Sequence, residues 1–398
     1  SHHFKYVFLN KDEDTKSGSS TICFATYIGN KEIIDLLINR ASIKDLIGIF
    51  SYSEKLETIE IPLFFTEIKS YSFNDCIKLK EVKIPNSVTL ISDHAFSECV
   101  SLKTIDIPES VTLIGDYAFS GCISLEKIDI PKLVTLISDY TFNGCIKLEE
   151  VKIPNSITLI GNYAFNGCIS LEKIDIPDSV TSIGNYAFCD CSKICNLIIP
   201  SSVKSIGDYA YKEIPIETIA IPSSVISFGK YVFSDCGNLS CCSNLSFLSA
   251  IPYGFFNNCI NITKFQIPTS ITIIDDYAFS KCTSLEIIEI PSSVTKFGDY
   301  SFSDCTKIKE IKIPSSVTSI GNYSFRNCIE IEEIKIPSSV VSVGEGVFYG
   351  CKSLKKVELP SSITELKDSF YQYCVSLKEF PFPNTATQIP NNIFCGCV

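Results

Sequence analysis

Three cysteines, Cys189, Cys191 and Cys195, fall together in the stretch CDCSKIC, and clustered thiolates are common ligands of zinc. A second pair, Cys395 and Cys397 in CGC, has the closeness that a redox dithiol needs. Asp or Asn recurs at Asp93, Asp116, Asp139, Asn162, Asn185, Asp208, Asp276, Asp299 and Asn322, a column of oxygens that invites comparison with a calcium ladder. Acid–base chemistry is poorly supplied. Of the three histidines, His2 and His3 lie in the opening Ser1-His2-His3, so His94 is the one imidazole in the body of the chain. It stands where neighbouring segments carry Tyr71, Tyr117 and Tyr140, which makes it a surface substitution rather than part of a catalytic set.

Which of these groups can meet is decided by a period of 23 residues. Cys76, Cys99, Cys122, Cys145, Cys168 and Cys191 follow it, and after a one-residue deletion Cys236, Cys259, Cys282, Cys305, Cys328, Cys351, Cys374 and Cys397 resume it. Fourteen of the twenty cysteines therefore share one structural position, and Ile214 fills the gap between the two runs. An apolar stand-in is what a buried, reduced thiol behaving as a small hydrophobe would accept. Stacked repeats ~4.8 Å apart would also give neighbouring cysteines parallel Cβ vectors, a poor disulfide geometry. The zinc reading fails on the same frame. Cys191 belongs to the buried row, Cys195 lies beside a strand, and Cys189 lies on the outer turn. One Asp or Asn per repeat supplies too few oxygens for calcium, and helix N-capping explains the column more simply. Glycines recur singly, so no phosphate-cradling loop is present. No catalytic, metal-ligating or cofactor-binding residue is expected.

The elements follow from one unit. LEKIDIP, Leu171 to Pro177, alternates apolar and polar as a strand does, with Leu171, Ile174 and Ile176 inward and Lys173 and Asp175 outward. Pro177 ends the strand by removing a donor. GNYAF, Gly184 to Phe188, supplies a turn glycine and an Asn N-cap for a short helical or 3-10 turn. Phe or Tyr closes each unit in phase, from Phe50 through Tyr211 and Tyr371 to Phe394. Such a unit cannot bury its own apolar face, but stacked neighbours can. The expected fold is an α/β repeat solenoid, right-handed, of about fourteen rungs along roughly 65–70 Å. One parallel sheet is expected, with helical or 3-10 turns on the convex side.

The pattern LxxIxIPxSVTxIGxYAFxxCxxL, carried by residues 50–398, resembles the BspA-like subclass of leucine-rich repeats. That resemblance implies a surface protein used in adhesion or recognition. One departure stands out: Ser179 and its equivalents occupy the place of the usual Asn or Cys after the strand, so no asparagine ladder is expected there. Residues 1–49 do not follow the repeat. Their segment GSSTICFATYIGNKEIIDLLINRAS resembles an ankyrin repeat through Ala25, Gly29, Glu32, Ile33, Leu36 and Leu37. It reads as a helical cap on the first rung, or as the tail of a longer ankyrin array.

Composition narrows the partners. Hydrophobic residues make up 45% and mean hydropathy is +0.22, so core material is ample. The net charge of −11, from 34 Lys and Arg against 45 Asp and Glu, argues against nucleic acid as a partner. No apolar run is long enough for a membrane helix. The chain lacks Met, so Ser1 reads as a trimmed or tagged start.

A protein partner is the remaining class, and the strand faces suggest where it docks. One outward column reads Lys83, Asp106, Asp129, Lys152, Asp175, then Ile198 and Ala220, later Gln266, Glu289, Lys312, Lys335 and Glu358. Its companion column turns to Asn196 and Thr218 at the same place. Charge thus vanishes on the concave face near Asn196, Ile198, Thr218, Ala220 and Gln266, and interface cores are depleted of charge. Two settings fit: a cell-surface adhesion protein, with a host or extracellular-matrix partner, or an intracellular ankyrin and leucine-rich repeat scaffold. Sequons at Asn238, Asn244, Asn261 and Asn322 matter only on a secretory route. Finally, Pro381 and Pro383 in LKEFPFP are expected to block edge pairing at the last rung.

Overall fold

The structure is a computed structural model and describes residues 50–397. The ankyrin-like segment and its expected helical cap lie outside the described residues. The chain divides into two compact units, Ser1–Lys193 and Ile194–Val398.

Within each unit, successive repeats pair as parallel strands in a register of one repeat, as alternation and period require. In the first unit Thr58–Glu60 pairs with Glu81–Lys83, and Lys127–Asp129 with Glu150–Lys152. In the second, Thr218–Ala220 pairs with Cys241–Ser243, and Glu333–Lys335 with Lys356–Glu358. Inward positions are buried and outward ones exposed; Leu171 is buried while Lys173 and Asp175 face solvent.

A single sheet does not describe the result. Most repeats carry a second, two-residue strand after the proline turn, at the positions that read TLI or TSI in several of them. Leu90–Ile91 pairs with Leu113–Ile114, and Lys296–Phe297 with Ser319–Ile320. Between the two ladders, the residue at the Val position donates back to the proline carbonyl, as from Val180 to Pro177 at 3.0 Å. Proline therefore turns the chain from one face to the next.

The expected helical turns are absent: no described residue is helical. The segment Gly115–Cys122 shows why. Backbone N–H groups alternate between a local partner and the next repeat. Ala118, Ser120 and Cys122 donate three residues back, to Gly115, Tyr117 and Phe119, at 3.0–3.3 Å. Tyr117, Phe119 and Gly121 donate across to Asp139, Thr141 and Asn143, at 2.8–3.0 Å. Two left-handed residues per repeat, here Tyr117 at φ 57° and Gly121 at φ 72°, bar the continuous right-handed run a helix needs. The outer side is thus a third stacked ladder built from turns.

This ladder corrects the N-cap expectation. Asp93 accepts the N–H of Asp116, one repeat on, at 3.0 Å; Asp116 does the same for Asp139, and Asp139 for Asn162 at 2.7 Å. In the second unit Asp276, Asp299 and Asn322 serve Asp299, Asn322 and Glu345. An Asp and Asn ladder does exist, on the turn side rather than after the strand. The serine that replaces the usual Asn donates to a neighbouring backbone instead, as from Ser179 to Ile157 at 2.6 Å.

The core is two parallel rows. The phenylalanines stack ring on ring within each unit, with centroids 5.1 Å apart for Phe73 and Phe96 and 5.7 Å for Phe302 and Phe325. Beside them the row cysteines from Cys76 to Cys374 are buried, while Cys397 and Phe394 are half-buried. Each row thiol donates to the carbonyl of an aromatic residue in the preceding repeat, as from Cys99 to Phe73 at 3.1 Å and from Cys305 to Phe279 at 3.0 Å. A thiol thus fills apolar space and also satisfies an oxygen. Burial pushes Cys76, Cys122 and Cys282 up to about 12 and raises Cys99, Cys145 and Cys168 too. A thiol-modifying reagent at neutral pH should therefore react rapidly with the exposed Cys195, Cys241 and Cys395, and with the buried row only after unfolding. Mass mapping that finds Cys145 or Cys168 labelled at the rate of Cys195 would contradict this packing.

Candidate functional site

The residues singled out for binding all lie in the second unit. Thr218 and Ala220 are the outward positions of strand Thr218–Ala220, with Ile219 buried between them. Their register partners are Cys241 and Ser243, also outward and uncharged. Sequence reading passed over Cys241 and Ser243 as members of the face, although the count of 23 from Thr218 and Ala220 reaches both. Asn196 and Ile198 are exposed but lie in irregular chain; Ile198 is 80% exposed, unusual for an aliphatic residue. Gln266 belongs to a separate ladder, in which it faces Glu289 while Lys264 faces Ile287. It sits at the margin where charge resumes.

The contrast with the rest of the strand faces is electrostatic. In the second unit, beyond the patch, Lys335 and Lys356 both reach Glu358, at 3.3 and 2.7 Å, and Lys355 reaches Glu332 at 2.8 Å. Glu358 is held below the usual carboxylate range by its bonds to Lys356 and Lys335. In the first unit Lys152 pairs with Asp129 at 3.2 Å and Lys127 with Glu150 at 3.6 Å. A depression on the second unit's strand face is lined by Lys309, Glu310, Lys312, Glu333 and Lys335, away from the uncharged patch. The patch itself is made of exposed positions, Asn196, Ile198, Thr218, Ala220, Cys241 and Ser243.

The stacked turn side is irregular at the same repeats. Lys230 and Tyr253 occupy the Asp and Asn column there, and the Lys230 ammonium lies 5.0 Å from the Tyr253 ring. Tyr253 meets Tyr231 edge-on at 78°, whereas Tyr277 and Tyr300 stack nearly parallel at 6°. Substitutions on two faces thus coincide within a few repeats.

The groups first considered for chemistry do not converge. Cys189 and Cys191 are buried and Cys195 is exposed, so the three do not share one environment. Cys397 bonds the Tyr371 carbonyl at 3.0 Å as a row member, while Cys395 faces solvent. His94 is a member of the aromatic stack, 4.6 Å from Tyr71 and 4.5 Å from Tyr117. Burial lowers its pKa against the pull of Asp93 and Asp116. Among the described residues, no three His, Cys, Asp or Glu gather as a metal site, and no helix is long and apolar enough to cross a membrane. Of the sequons, Asn244 and Asn322 already donate their amides to Ile221 and Asp299, at 2.7 and 3.0 Å.

Comparison with known proteins agrees with this architecture. The BspA type leucine rich repeat region matches residues 47–172, 158–286 and 272–398. A leucine-rich repeat protein from Bacteroides ovatus is 31% identical, with 86% of each chain covered and a TM-score of 0.72. A leucine rich cell surface protein from Faecalibacterium prausnitzii is 26% identical over 81% of this chain and 82% of its own, with a TM-score of 0.53. A leucine-rich repeat protein from Eubacterium ventriosum, 22% identical over 72% of this chain and 86% of its own at a TM-score of 0.52, shares the fold. No curated protein matches significantly. With the family pattern matched from residue 47 to residue 398, the chain belongs to the BspA-type leucine-rich repeat family.

Proposed function

We propose that the chain is a non-enzymatic recognition protein of a cell surface, which binds a protein partner through the uncharged face of its second unit. The observation that carries this reading is the run of Asn196, Ile198, Thr218, Ala220, Cys241 and Ser243, exposed and without charge on a surface otherwise laced with ion pairs. Desolvating such a patch costs little, because no ion must be stripped of water, and Ile198 offers apolar area for a partner. Gln266 contributes at the rim. The surface setting is supported by family membership and by likeness to the Faecalibacterium prausnitzii cell surface protein. The buried cysteine row is no argument for a reducing compartment here, since buried thiols with raised pKa values resist oxidation wherever the protein resides.

The test is solid-phase binding of the folded protein to immobilised extracellular-matrix proteins and to intact epithelial cells, together with antibody labelling of intact producing cells. Saturable binding to at least one protein surface, with labelling of unbroken cells, is expected. Labelling only after lysis would overturn the surface setting, and absence of saturable binding across the panel would overturn the adhesion role.

A further inference from the structure

The two-residue ladder of the first unit carries a feature that the uncharged face does not use. Leu90 stands in register with Leu113, and Leu136 with Leu159, so one outward position of the repeat is leucine four times. Leu113 and Leu159 are each 38% exposed. Leu133, 56% exposed, adds to the stripe; it replaces the serine that in neighbouring repeats bonds the backbone, as Ser110 and Ser156 do at 2.6 Å. Other repeats place serine at the leucine position, as Ser182, Ser319 and Ser342 show, so the fold does not require an apolar residue there.

Three residues after Leu90, Leu113 and Leu136 stand Asp93, Asp116 and Asp139. One oxygen of each accepts a backbone N–H. None of the three has a lysine or arginine within ion-pairing distance among the described residues, although Glu60, Asp129 and Glu150 on the three-residue strands of this unit are paired. Burial, and then the flanking Asp93 and Asp139, raise the Asp116 pKa against the backbone N–H of Asp139 and the nearby His94. Asn162 and Asn185 continue the column without charge, so aspartate is not needed for the ladder itself.

We propose that the Leu90, Leu113, Leu136 and Leu159 stripe, with the Asp93, Asp116 and Asp139 column beside it, is a second docking surface, for a cationic amphipathic segment of a partner protein. Charge complementarity selects the occupant. An apolar stripe bordered by unneutralised carboxylates attracts Lys or Arg beside apolar side chains, and it repels anionic lipid and acidic peptides. The surface lies in the first unit and on the other ladder, so it is independent of the face assigned above.

The probe is a fluorescein-labelled synthetic peptide of alternating Leu and Lys, with a Leu and Glu peptide as control, followed by anisotropy at two salt concentrations. Two triple variants are compared with the unmodified chain: Leu113→Ser with Leu136→Ser and Leu159→Ser, and Asp93→Asn with Asp116→Asn and Asp139→Asn. Both use residues that the repeat already accepts at these positions, and their melting curves report folding. Expected is saturable binding of the lysine peptide only, weakened at least tenfold by either triple variant and reduced by salt. Loss in the Asn variant with full binding in the Ser variant would reduce the effect to attraction by the net charge and overturn the proposal. Equal binding by all three proteins would overturn it as well. So would light scattering in which the unmodified chain self-associates and the Ser variant does not, since the stripe would then belong to a second copy.

Discussion

Raising the pH above about 9 should unfold the protein steeply, with thiolate appearing only as structure is lost. The row cysteines are buried along both units, and burial lifts them from 9.0 to about 12 at Cys76, Cys122 and Cys282. A raised acid pKa means that the folded state keeps a proton the unfolded chain gives up. Below the unfolded value both states are protonated and this contribution is fully present. Between 9 and about 12 the unfolded state binds fewer protons, so stability falls as pH rises. Each thiol contributes about 1.4 kcal/mol per pH unit in that window. With a whole row titrating together, the slope should exceed that of an ordinary domain several-fold. Buried Tyr211 and Tyr371, both raised by burial, act in the same direction at higher pH. The check is circular dichroism against pH, alongside thiolate absorbance near 240 nm. Absorbance that titrates near 9 while the spectrum stays native would show the row to be accessible and the core reading wrong. Replacing Cys122 and Cys145 with Val, a change that Ile214 shows the position accepts, should lessen the slope.

Lysine at both Ile198 and Ala220 should abolish adhesion while leaving the melting curve in place. Both positions are exposed, and the same column carries Lys312 and Lys335 later in the array, so the fold tolerates the side chain. Exposed substitutions of this kind shift stability by about 0.5 kcal/mol or less. At an interface the arithmetic differs, because an unpaired charge buried against a partner costs about 2–5 kcal/mol, roughly one and a half to three and a half decades of affinity. The measurement is the binding isotherm on whichever immobilised surface gives saturable binding, beside a thermal melt of each protein. An isotherm identical to that of the unmodified chain would place the contact elsewhere. Lysine at Ile287, on the charged side of Gln266, serves as a control and should matter far less.

The buried rows were legible because they need only the period and side-chain size. Once Cys76 and Phe73 are inside, residues 23 positions on at the same place are inside too as far as the last repeat, and Phe96, Phe119, Cys99 and Cys122 are indeed buried. Alternation likewise placed Lys173 and Asp175 outward and Leu171 inward. The uncharged face was readable for the same reason, since outward columns follow from register alone, and Ser243 was missed only because its repeat is degraded in its other positions.

What the sequence by itself determined, then, is everything that depends on phase: a parallel stack of repeats, which side chains are inside, and where charge is missing. Tertiary structure decided where the backbone hydrogen bonds go. Asp93 looked like a helix cap because an N-cap argument considers only the next three residues, yet its oxygen serves Asp116 in the following repeat. Tyr117 looked helical until its N–H was found on Asp139 and its φ at 57°, a conformation offset by stacking against Tyr140 at 4.3 Å. Local propensity is worth tenths of a kcal/mol per residue, whereas an unmade buried backbone bond costs about 1–3 kcal/mol. Partners in the adjacent repeat therefore override the local preference, and turns replace helices.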